Sequence, residues 1–298
     1  MPSSTPASAS DSPGRALALR LLRRWTARVS LLVLVIGFAC AVAPGLFAPL
    51  DPFEQDLSKR LLGPAWAENG DPAHLFGTDH LGRDLLSRIV HGARVTLLVA
   101  VLAVAGAGLV GILAGLAAGY FGGWLDSVVM RLADVQLAFP VILLVIVVAA
   151  VVGPSTTNLI VILALSGWPR FARIVRGSVL SVRELGFVEA GRAAGSGHLG
   201  LMLKHILPNV ASPIIVYASF ELARMILLEA TMSFLGLGVQ PPAPTWGGMI
   251  NDGRGYLHLS LAASLLPGIA IALTILACNL LGDDLRDALD PRMDLESK

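Results

Sequence analysis

The sequence carries little charge for its length. Asp, Glu, Lys and Arg together make up 14% of its 298 residues, whereas about 25% is usual for a soluble domain. Hydrophobic residues make up 55%. A soluble protein of this size would need charge over most of its surface, and intrinsic disorder would need low hydrophobicity. The composition therefore excludes both classes and indicates a membrane protein.

Cysteine and lysine are also rare in the sequence, and the net charge is close to zero. Cys40 and Cys278 lie in apolar runs, where they are expected to be small buried residues rather than disulfide or metal partners. The six histidines show no metal-ligand spacing, and a net charge of +1 gives no footprint for nucleic acid. None of the three lysines stands in a G-x-x-x-x-G-K-[ST] motif, so the chain is not expected to bind ATP by a P-loop.

Long apolar segments predict six membrane-spanning helices. These segments cover residues 29–50, 95–125, 134–152, 158–178, 206–238 and 262–281. The first is longer than the apolar core of a signal peptide, which is about 7–15 residues, so an uncleaved anchor is preferred. Gly111, Gly115 and Gly119 form a small-xxx-small pattern that lets two helix backbones approach closely. The letters GPSTTN at 153–158 are typical of a turn between two helices.

The distribution of Lys and Arg predicts that both ends of the chain are cytoplasmic. With six spans, the inner segments hold fifteen of the 22 cations, the outer segments hold six, and Arg224 lies within a span. Cations are enriched in cytoplasmic loops. The predicted organisation is a basic tail, a first span, an outer loop, a membrane domain and a C-terminal tail. These cover 1–28, 29–50, 51–93, 94–282 and 283–298.

The outer loop ends in a stretch with helical periodicity. Leu81, Leu85, Leu86, Ile89 and Val90 recur at helical spacing, which predicts an interfacial helix. Asp79 stands just before this stretch and is expected to cap the helix. The helix either contacts a partner protein or anchors the loop to the membrane surface.

The richest segment outside the membrane lies between the predicted fourth and fifth spans. Residues 183–209 read RELGFVEAGRAAGSGHLGLMLKHILPN. Residues 183–194 predict a short helix, the glycines at 195 and 197 break it, and 198–207 predict a second helix before Pro208. The result is a compact knob on the cytoplasmic face. Its small residues would let another surface come close.

This segment resembles the EAA loop of ABC-importer permeases. The pattern of that family is E-A-A, three residues, G, nine residues and I-x-L-P. Gly191 replaces the third-position alanine, and His205 stands where the pattern has isoleucine. The resemblance implies that the loop is a coupling helix that docks into a groove on a cytoplasmic ATPase. The coupling residues that it implies are Glu189, Ala190, Gly191, Arg192, Gly195, Leu207 and Pro208.

Two further blocks resemble the dipeptide/oligopeptide branch of these permeases. They are FGTDHLGRDLLSRIVHGARVTL at 76–97 and SFLGLGVQPPAPTWGGMINDGR at 233–254. The resemblance implies an all-α transmembrane protein with the six-helix fold of type I importer permeases, in which 94–282 form the ABC transmembrane domain. It also implies import of dipeptides or oligopeptides by alternating access, with nickel or another peptide-family substrate as the alternative.

The same resemblance implies an assembly in the cytoplasmic (inner) membrane. The partners would be a homologous second permease subunit, two ABC ATPase subunits, an extracytoplasmic peptide-binding protein, membrane lipid and the peptide itself. The chain would bind no cofactor, since ATP and Mg would be held by the ATPase subunits. It would therefore be a transport subunit rather than an enzyme.

Charges within or beside the spans are the remaining candidates. Glu221 and Arg224 are spaced to pair on one helix face, and with Glu229 they either line the translocation pathway or form structural pairs. Because Glu221 and Glu229 are acids within a predicted span, an ion-coupled secondary transporter is an alternative function. Asp126, Arg131 and Asp134 either contact the ATPase or are solvated at the level of the lipid headgroups.

Overall fold

The computed structural model describes residues 21–289, which are helical apart from their loops. The main helices are α1 (Trp25–Val42), α2 (Leu85–Phe121), α3 (Gly123–Ala138), α4 (Val141–Val152), α5 (Thr156–Val182), α6 (Gly186–Ala193), α7 (Ala211–Phe234), α8 (Trp246–Gly253) and α9 (Ala262–Leu289). Short helical turns occupy Pro44–Phe47, Leu57–Lys59, His198–Gly200, Leu201–Ile206, Leu207–Asn209 and Arg254–Tyr256. Between residues 21 and 289 the only β-structure is two isolated bridges, so the predicted all-α class is confirmed.

Five helices are long and apolar enough to cross a membrane, namely α1, α2, α5, α7 and α9. Helices α3 and α4 make a sixth span only if they are counted together, because they are bent by 88° where they meet. The bend follows from Pro140, which forces the preceding Phe139 into an extended conformation. The predicted third span, 134–152, is therefore interrupted. Helix α4 alone, with 12 residues, is about 18 Å long.

The start of α2 differs from the sequence-based expectation. No separate helix is formed by residues 81–90, which the sequence predicts to lie at the interface, since α2 begins at Leu85 and continues without a break for 37 residues. Asp84, not Asp79, is its cap and accepts a hydrogen bond from the Ser87 backbone N–H at 2.8 Å. Asp79 instead accepts hydrogen bonds from the backbone N–H groups of Leu81 and Arg83, which fix the turn before the helix. The sequence from Leu85 to Phe121 contains no proline to end a helix.

Helices α2 and α5 pack against each other along the glycine ladder. Gly111, Gly115 and Gly119 are all buried. A Cβ at Gly115 would lie 2.5 Å from the Ala172 carbonyl oxygen, and one at Gly119 would lie 2.8 Å from Cβ of Val179. The predicted close approach of two backbones is confirmed, and it places the main core between α2, α5 and α7.

The start of α1 and the end of α9 lie at the same end of the bundle. Arg24 Nη1 is 3.1 Å from Asp284 Oδ1 and 2.6 Å from Asp287 Oδ2, and the hydrogen bonds to Asp287 and Asp284 raise the pKa of Arg24. Asn209 and Arg286 line one cavity, so the 183–209 loop lies at this end too. The structure therefore gathers the described chain ends and the predicted coupling loop on one side.

Candidate functional site: the 183–209 loop and the membrane-embedded charges

The 183–209 loop is a helical hairpin closed by a glycine turn. Helix α6 ends at Ala193, and Gly195 follows with a φ of +83°, a conformation that glycine adopts readily. Its N–H donates to the Arg192 carbonyl at 3.0 Å, and the Ser196 N–H donates to the Gly191 carbonyl at 3.1 Å. These two bonds form a Schellman motif. The returning arm, residues 198–209, is helical with a π-helical section at Leu201–Ile206.

One face of this hairpin is buried against the ends of α2 and α5. The buried side chains form a continuous apolar cluster that joins the loop to both helices. The members are Leu116, Val175, Val179, Val188, Leu201, Ile206 and Val210. The hairpin and the ends of α2 and α5 therefore form one closely packed unit.

The two departures from the EAA pattern contact each other. A Cβ at Gly191 would lie 3.1 Å from Leu201 Cδ2 and 3.4 Å from His205 Nε2. Glycine at 191 thus lets the two arms of the hairpin pack closely with His205 between them. The substitutions relative to the family pattern are explained by packing inside the loop rather than at its outer face.

The opposite face of the hairpin is exposed. Glu189, Ala190, Arg192, Gly195 and Pro208 all lie on it, whereas Gly191 and Leu207 are partly buried. Apolar side chains are exposed beside them, with Leu199 at 70% and Leu203 at 51%. Exposed apolar residues grouped with polar ones are typical of a protein–protein contact. The seven residues implied by the resemblance therefore divide into five on the outer face and two inside.

Two anchors of the hairpin were not identified from the sequence. His198 Nδ1 lies 2.8 Å from the Tyr120 hydroxyl oxygen, at the end of α2, and the two rings pack edge to face. Arg183 Nη1 donates to the Gly119 carbonyl at 2.8 Å. Both contacts join residues more than sixty positions apart, and no local pattern indicates them.

Glu221 and Arg224 pair as their spacing predicts. Arg224 Nε donates to Glu221 Oε2 at 2.8 Å, and the Tyr217 hydroxyl donates to the same oxygen at 2.9 Å. The Glu221 side chain is 1% exposed and that of Arg224 is 23% exposed. A Cβ at Gly167 of α5 would lie 2.7 Å from Glu221 Oε1, so the carboxylate is enclosed between two helices while the guanidinium reaches a surface.

Glu229 does not join this pair. It is fully buried, and its Oε1 accepts a hydrogen bond from Ser233 at 2.7 Å. In this conformation the side chain reaches no open surface. The structure thus separates the three charges into an ion pair with an exposed guanidinium and an isolated buried acid.

Comparison with known proteins identifies the family. Residues 111–295 match the model of the binding-protein-dependent transport system inner membrane component. The chain belongs to this family. The match includes the whole 183–209 loop and the Glu221–Arg224 pair, so this subunit is a multi-pass permease component of an inner-membrane transport system.

Curated relatives cover nearly all of the permease. It is 43% identical to the di/tripeptide transport system permease protein DppC of Pseudomonas aeruginosa over 88% of this chain and 86% of that one. It is 42% identical to the dipeptide transport system permease protein DppC of Alkalihalophilus pseudofirmus, covering 95% and 91%. It is 39% identical to the glutathione transport system permease protein GsiD of Pectobacterium atrosepticum, covering 95% and 92%.

A solved structure supports the fold of the permease. A chain of the MetNI methionine ABC transporter, determined in inward-facing conformations, aligns with a TM-score of 0.54 and 20% identity. The alignment covers 68% of this permease and 97% of the other chain. The permease therefore has the fold of a type I ABC importer subunit.

The two acids of α3, Asp126 and Asp134, form ion pairs with arginines of α5 in the same chain. Arg176 donates to both carboxylate oxygens of Asp126, with Nη2 2.6 Å from Oδ2, and Arg173 donates to Asp134. Helix α5 brings these arginines alongside α3, and the Asp134 side chain stays 54% exposed while that of Asp126 is 19% exposed. These pairs hold α3 against α5.

Proposed function

We propose that this permease imports dipeptides and tripeptides across the cytoplasmic membrane by ATP-driven alternating access. The observation that carries the proposal is the exposed 183–209 hairpin, which is fastened to α2 and α5 by a buried apolar cluster. Such a device transmits movement from an attached protein into the membrane bundle. The names of the relatives, which include di/tripeptide and dipeptide transport systems, support the substrate class.

The hairpin is the docking element for an ATPase subunit. Its outer face presents Glu189, Ala190 and Arg192 beside exposed Leu199 and Leu203. When two ATPases close on ATP and Mg²⁺, they push this face. The movement reaches α2 through Leu116 and α5 through Val175 and Val179, which pack against the inner face.

The assembly contains one copy each of this permease and a homologous second permease, with two ATPases and an extracytoplasmic peptide-binding protein. The absence of a P-loop motif from the sequence supports a separate source of ATP hydrolysis. The permease itself holds no cofactor. Each permease supplies one wall of the substrate pathway.

Both ends of the chain face the cytoplasm. The Lys and Arg distribution supports this orientation. It is also supported by the contact between Arg24 and Asp284, which brings α1 and α9 together at the end of the bundle that carries the hairpin.

Arg224 marks the wall of the substrate pathway within the membrane. Its guanidinium is partly exposed while its partner Glu221 is buried. A cation inside the hydrocarbon region is costly, so an exposed one is expected to face a polar cavity rather than lipid. Glu229, which is fully buried, acts in packing.

Reconstitution tests the proposal. The permease and its partners are placed in proteoliposomes with the binding protein outside and ATP inside, and uptake of labelled Ala-Ala is measured. We expect uptake that requires ATP and survives collapse of the proton gradient. Glutathione and nickel are measured in parallel as competing substrates. Uptake that depends on the ion gradient and not on ATP would instead identify a secondary transporter.

A further inference from the structure

A cavity lined by several polar side chains lies at the end of the bundle opposite the 183–209 hairpin. It has a volume of about 270 Å³ and opens between the start of α2, the loop after α7, and α8. Its lining includes the polar residues Arg83, Arg88 and Asp252 and the apolar residues Val239, Pro241 and Pro242. Ligand cavities commonly combine an apolar lining with a few convergent polar groups.

Arg88 is the unusual residue of this cavity. Its side chain is only 4% exposed, yet its Nη1 and Nε have no hydrogen-bond partner within residues 21–289. Nε lies 3.4 Å from Asp79 Oδ2, which is an ion-pair distance only. Arg88 Nη2 has a long contact of 3.4 Å to Asp252 Oδ2, and a buried guanidinium with so few acceptors is costly. The geometry of Arg88 therefore indicates a place for an additional acceptor.

The two neighbouring acids differ in how firmly they are held. Asp79 accepts hydrogen bonds from the Leu81 and Arg83 backbone N–H groups at 2.8 and 3.0 Å, and from Arg83 Nε at 2.6 Å. Within residues 21–289 the Asp252 carboxylate makes two ion-pair contacts, both at 3.4 Å, to Nη2 of Arg83 and of Arg88. Its side chain is 37% exposed. Asp252 is therefore the more easily displaced of the two acids, provided that another carboxylate takes its place beside Arg88.

We propose that this cavity binds the C-terminal carboxylate of a short peptide, which displaces the Asp252 carboxylate from the two arginines. Without Asp252, the positive charges of Arg83 and Arg88 are balanced only by the negative charge of Asp79, so the site can accept one more carboxylate. A planar carboxylate fits the fork of a guanidinium by two hydrogen bonds. The proline and valine wall suits the apolar part of a small peptide. This inference rests on the proposed function for the identity of the ligand.

The cavity size fits this ligand class. A volume of about 270 Å³ lies just below the range of roughly 300–1,000 Å³ typical of pockets for drug-sized molecules. A dipeptide is smaller than such molecules. His80 lines the same cavity and stacks on Tyr256.

The test measures equilibrium binding to the assembled full-length transporter in nanodiscs, without ATP and without the binding protein. The probes are Ala-Ala and its C-terminal amide. We expect the amide to bind at least tenfold more weakly than the acid. We expect Asp252→Asn to tighten Ala-Ala binding at least threefold, because the resident competitor is lost, and Arg88→Gln to weaken it at least tenfold. Arg254→Gln, an exposed cation outside the cavity, is the control and should bind as the wild type does.

Three outcomes would overturn the inference: equal binding of acid and amide, no tightening in Asp252→Asn, or unchanged Ala-Ala binding in a folded Arg88→Gln variant. Asp252→Asn alters a half-exposed side chain, so the test stands even where Arg88→Gln does not fold. The binding measurement uses no ATP. Its outcome can therefore be distinguished from the outcome of the uptake assay that tests the proposed function.

Discussion

At the scale of single residues, glycine decides how closely the central helices of the permease approach. Gly115 faces the backbone of α5, and a Cβ there would lie 2.5 Å from the Ala172 carbonyl oxygen. Gly177 is also inside a helix, but a Cβ there would meet nothing within 4 Å. Comparing substitutions at Gly115 and Gly177 therefore distinguishes the effect of close packing from the effect of the low helix propensity of glycine.

Gly115→Ala is expected to destabilise the permease by about 1–3 kcal/mol, because the added methyl group overpacks against backbone that cannot move aside. Gly177→Ala should be neutral or slightly stabilising, since alanine favours the helix. Thermal unfolding of both variants in the same detergent measures the difference. Equal midpoints would mean that α2 and α5 do not pack as closely as the structure has them.

Arg224 and Arg254 allow a second comparison at this scale. Arg224 pairs with buried Glu221, so Arg224→Ala leaves an unpaired carboxylate between α5 and α7. Arg254 is exposed and lies over the Phe234 ring at 5.4 Å. Arg224→Ala should therefore lower assembly or peptide uptake at least fivefold, with Arg254→Ala near wild type. Uptake assays normalised to the amount of inserted permease test this, and equal rates would contradict it.

At the scale of elements, the 183–209 hairpin is a rigid unit with one inner and one outer face. The Schellman turn at Gly195 fixes the angle between its arms, and Val188 and Leu201 hold it to the bundle. Neither arm is long enough to be stable alone in water. Its shape depends on both the turn and the packing beneath it.

Gly195→Leu should uncouple transport from ATP hydrolysis. Both Gly195 and Gly197 face open space, but only Gly195 has a positive φ, where a non-glycine residue costs about 1–2 kcal/mol. Gly197→Leu, with a φ of −67°, adds the same bulk without strain. Peptide taken up per ATP hydrolysed should fall in the first variant by more than in the second. An identical ratio in both would show that bulk rather than backbone geometry matters.

Tyr120→Phe removes the hydrogen bond between α2 and His198 while keeping the ring contact. Loss of one such bond costs about 1 kcal/mol, so amide exchange in residues 198–206 should become roughly fivefold faster. Tyr256→Phe serves as the control, since its hydroxyl group forms no hydrogen bond with the part of the chain that the structure describes. Unchanged exchange at 198–206 would mean that the apolar cluster alone holds the hairpin.

At the scale of the whole molecule, the bundle has two chemically different ends. One carries the hairpin, the Arg24–Asp284 pair and the arginines of α5. The other carries the outer loop, α8 and the cavity around Arg88. Helix α8 is fixed there by Trp246, whose indole N–H donates to the Ile89 carbonyl at 3.0 Å, and by Gly247, which lies against the backbone of Ala230.

Orientation in the membrane is tested by labelling with a membrane-impermeant maleimide. Glu68→Cys and Ala194→Cys place a thiol on exposed positions at opposite ends of the bundle. In intact cells whose outer envelope has been opened, Glu68→Cys should react and Ala194→Cys should not, until the cytoplasmic membrane is permeabilised. The wild type controls for Cys40 and Cys278. The reverse pattern would place the hairpin outside and remove its role in coupling.

The sequence by itself determined the features that depend on local pattern. Apolar runs predict the long helices α1, α2, α5, α7 and α9, and the spacing of Gly111, Gly115 and Gly119 predicts a close helix contact. The i, i+3 spacing predicts the Glu221–Arg224 pair, and the glycines at 195 and 197 predict the hairpin turn. Helix periodicity and turn chemistry act over a few residues, so one chain is enough to detect them.

Only the tertiary structure decided which distant residues meet. Asp126 and Asp134 meet the arginines of α5 because α3 lies alongside that helix. Tyr120 meets His198 across the end of the bundle, and Asp252 lies 3.4 Å from Arg88 in the cavity at the other end of the bundle. Glu229 is buried while Arg224 is partly exposed, although both belong to α7. Such contacts depend on how helices are rotated and packed against one another, and the local pattern of side chains leaves that open.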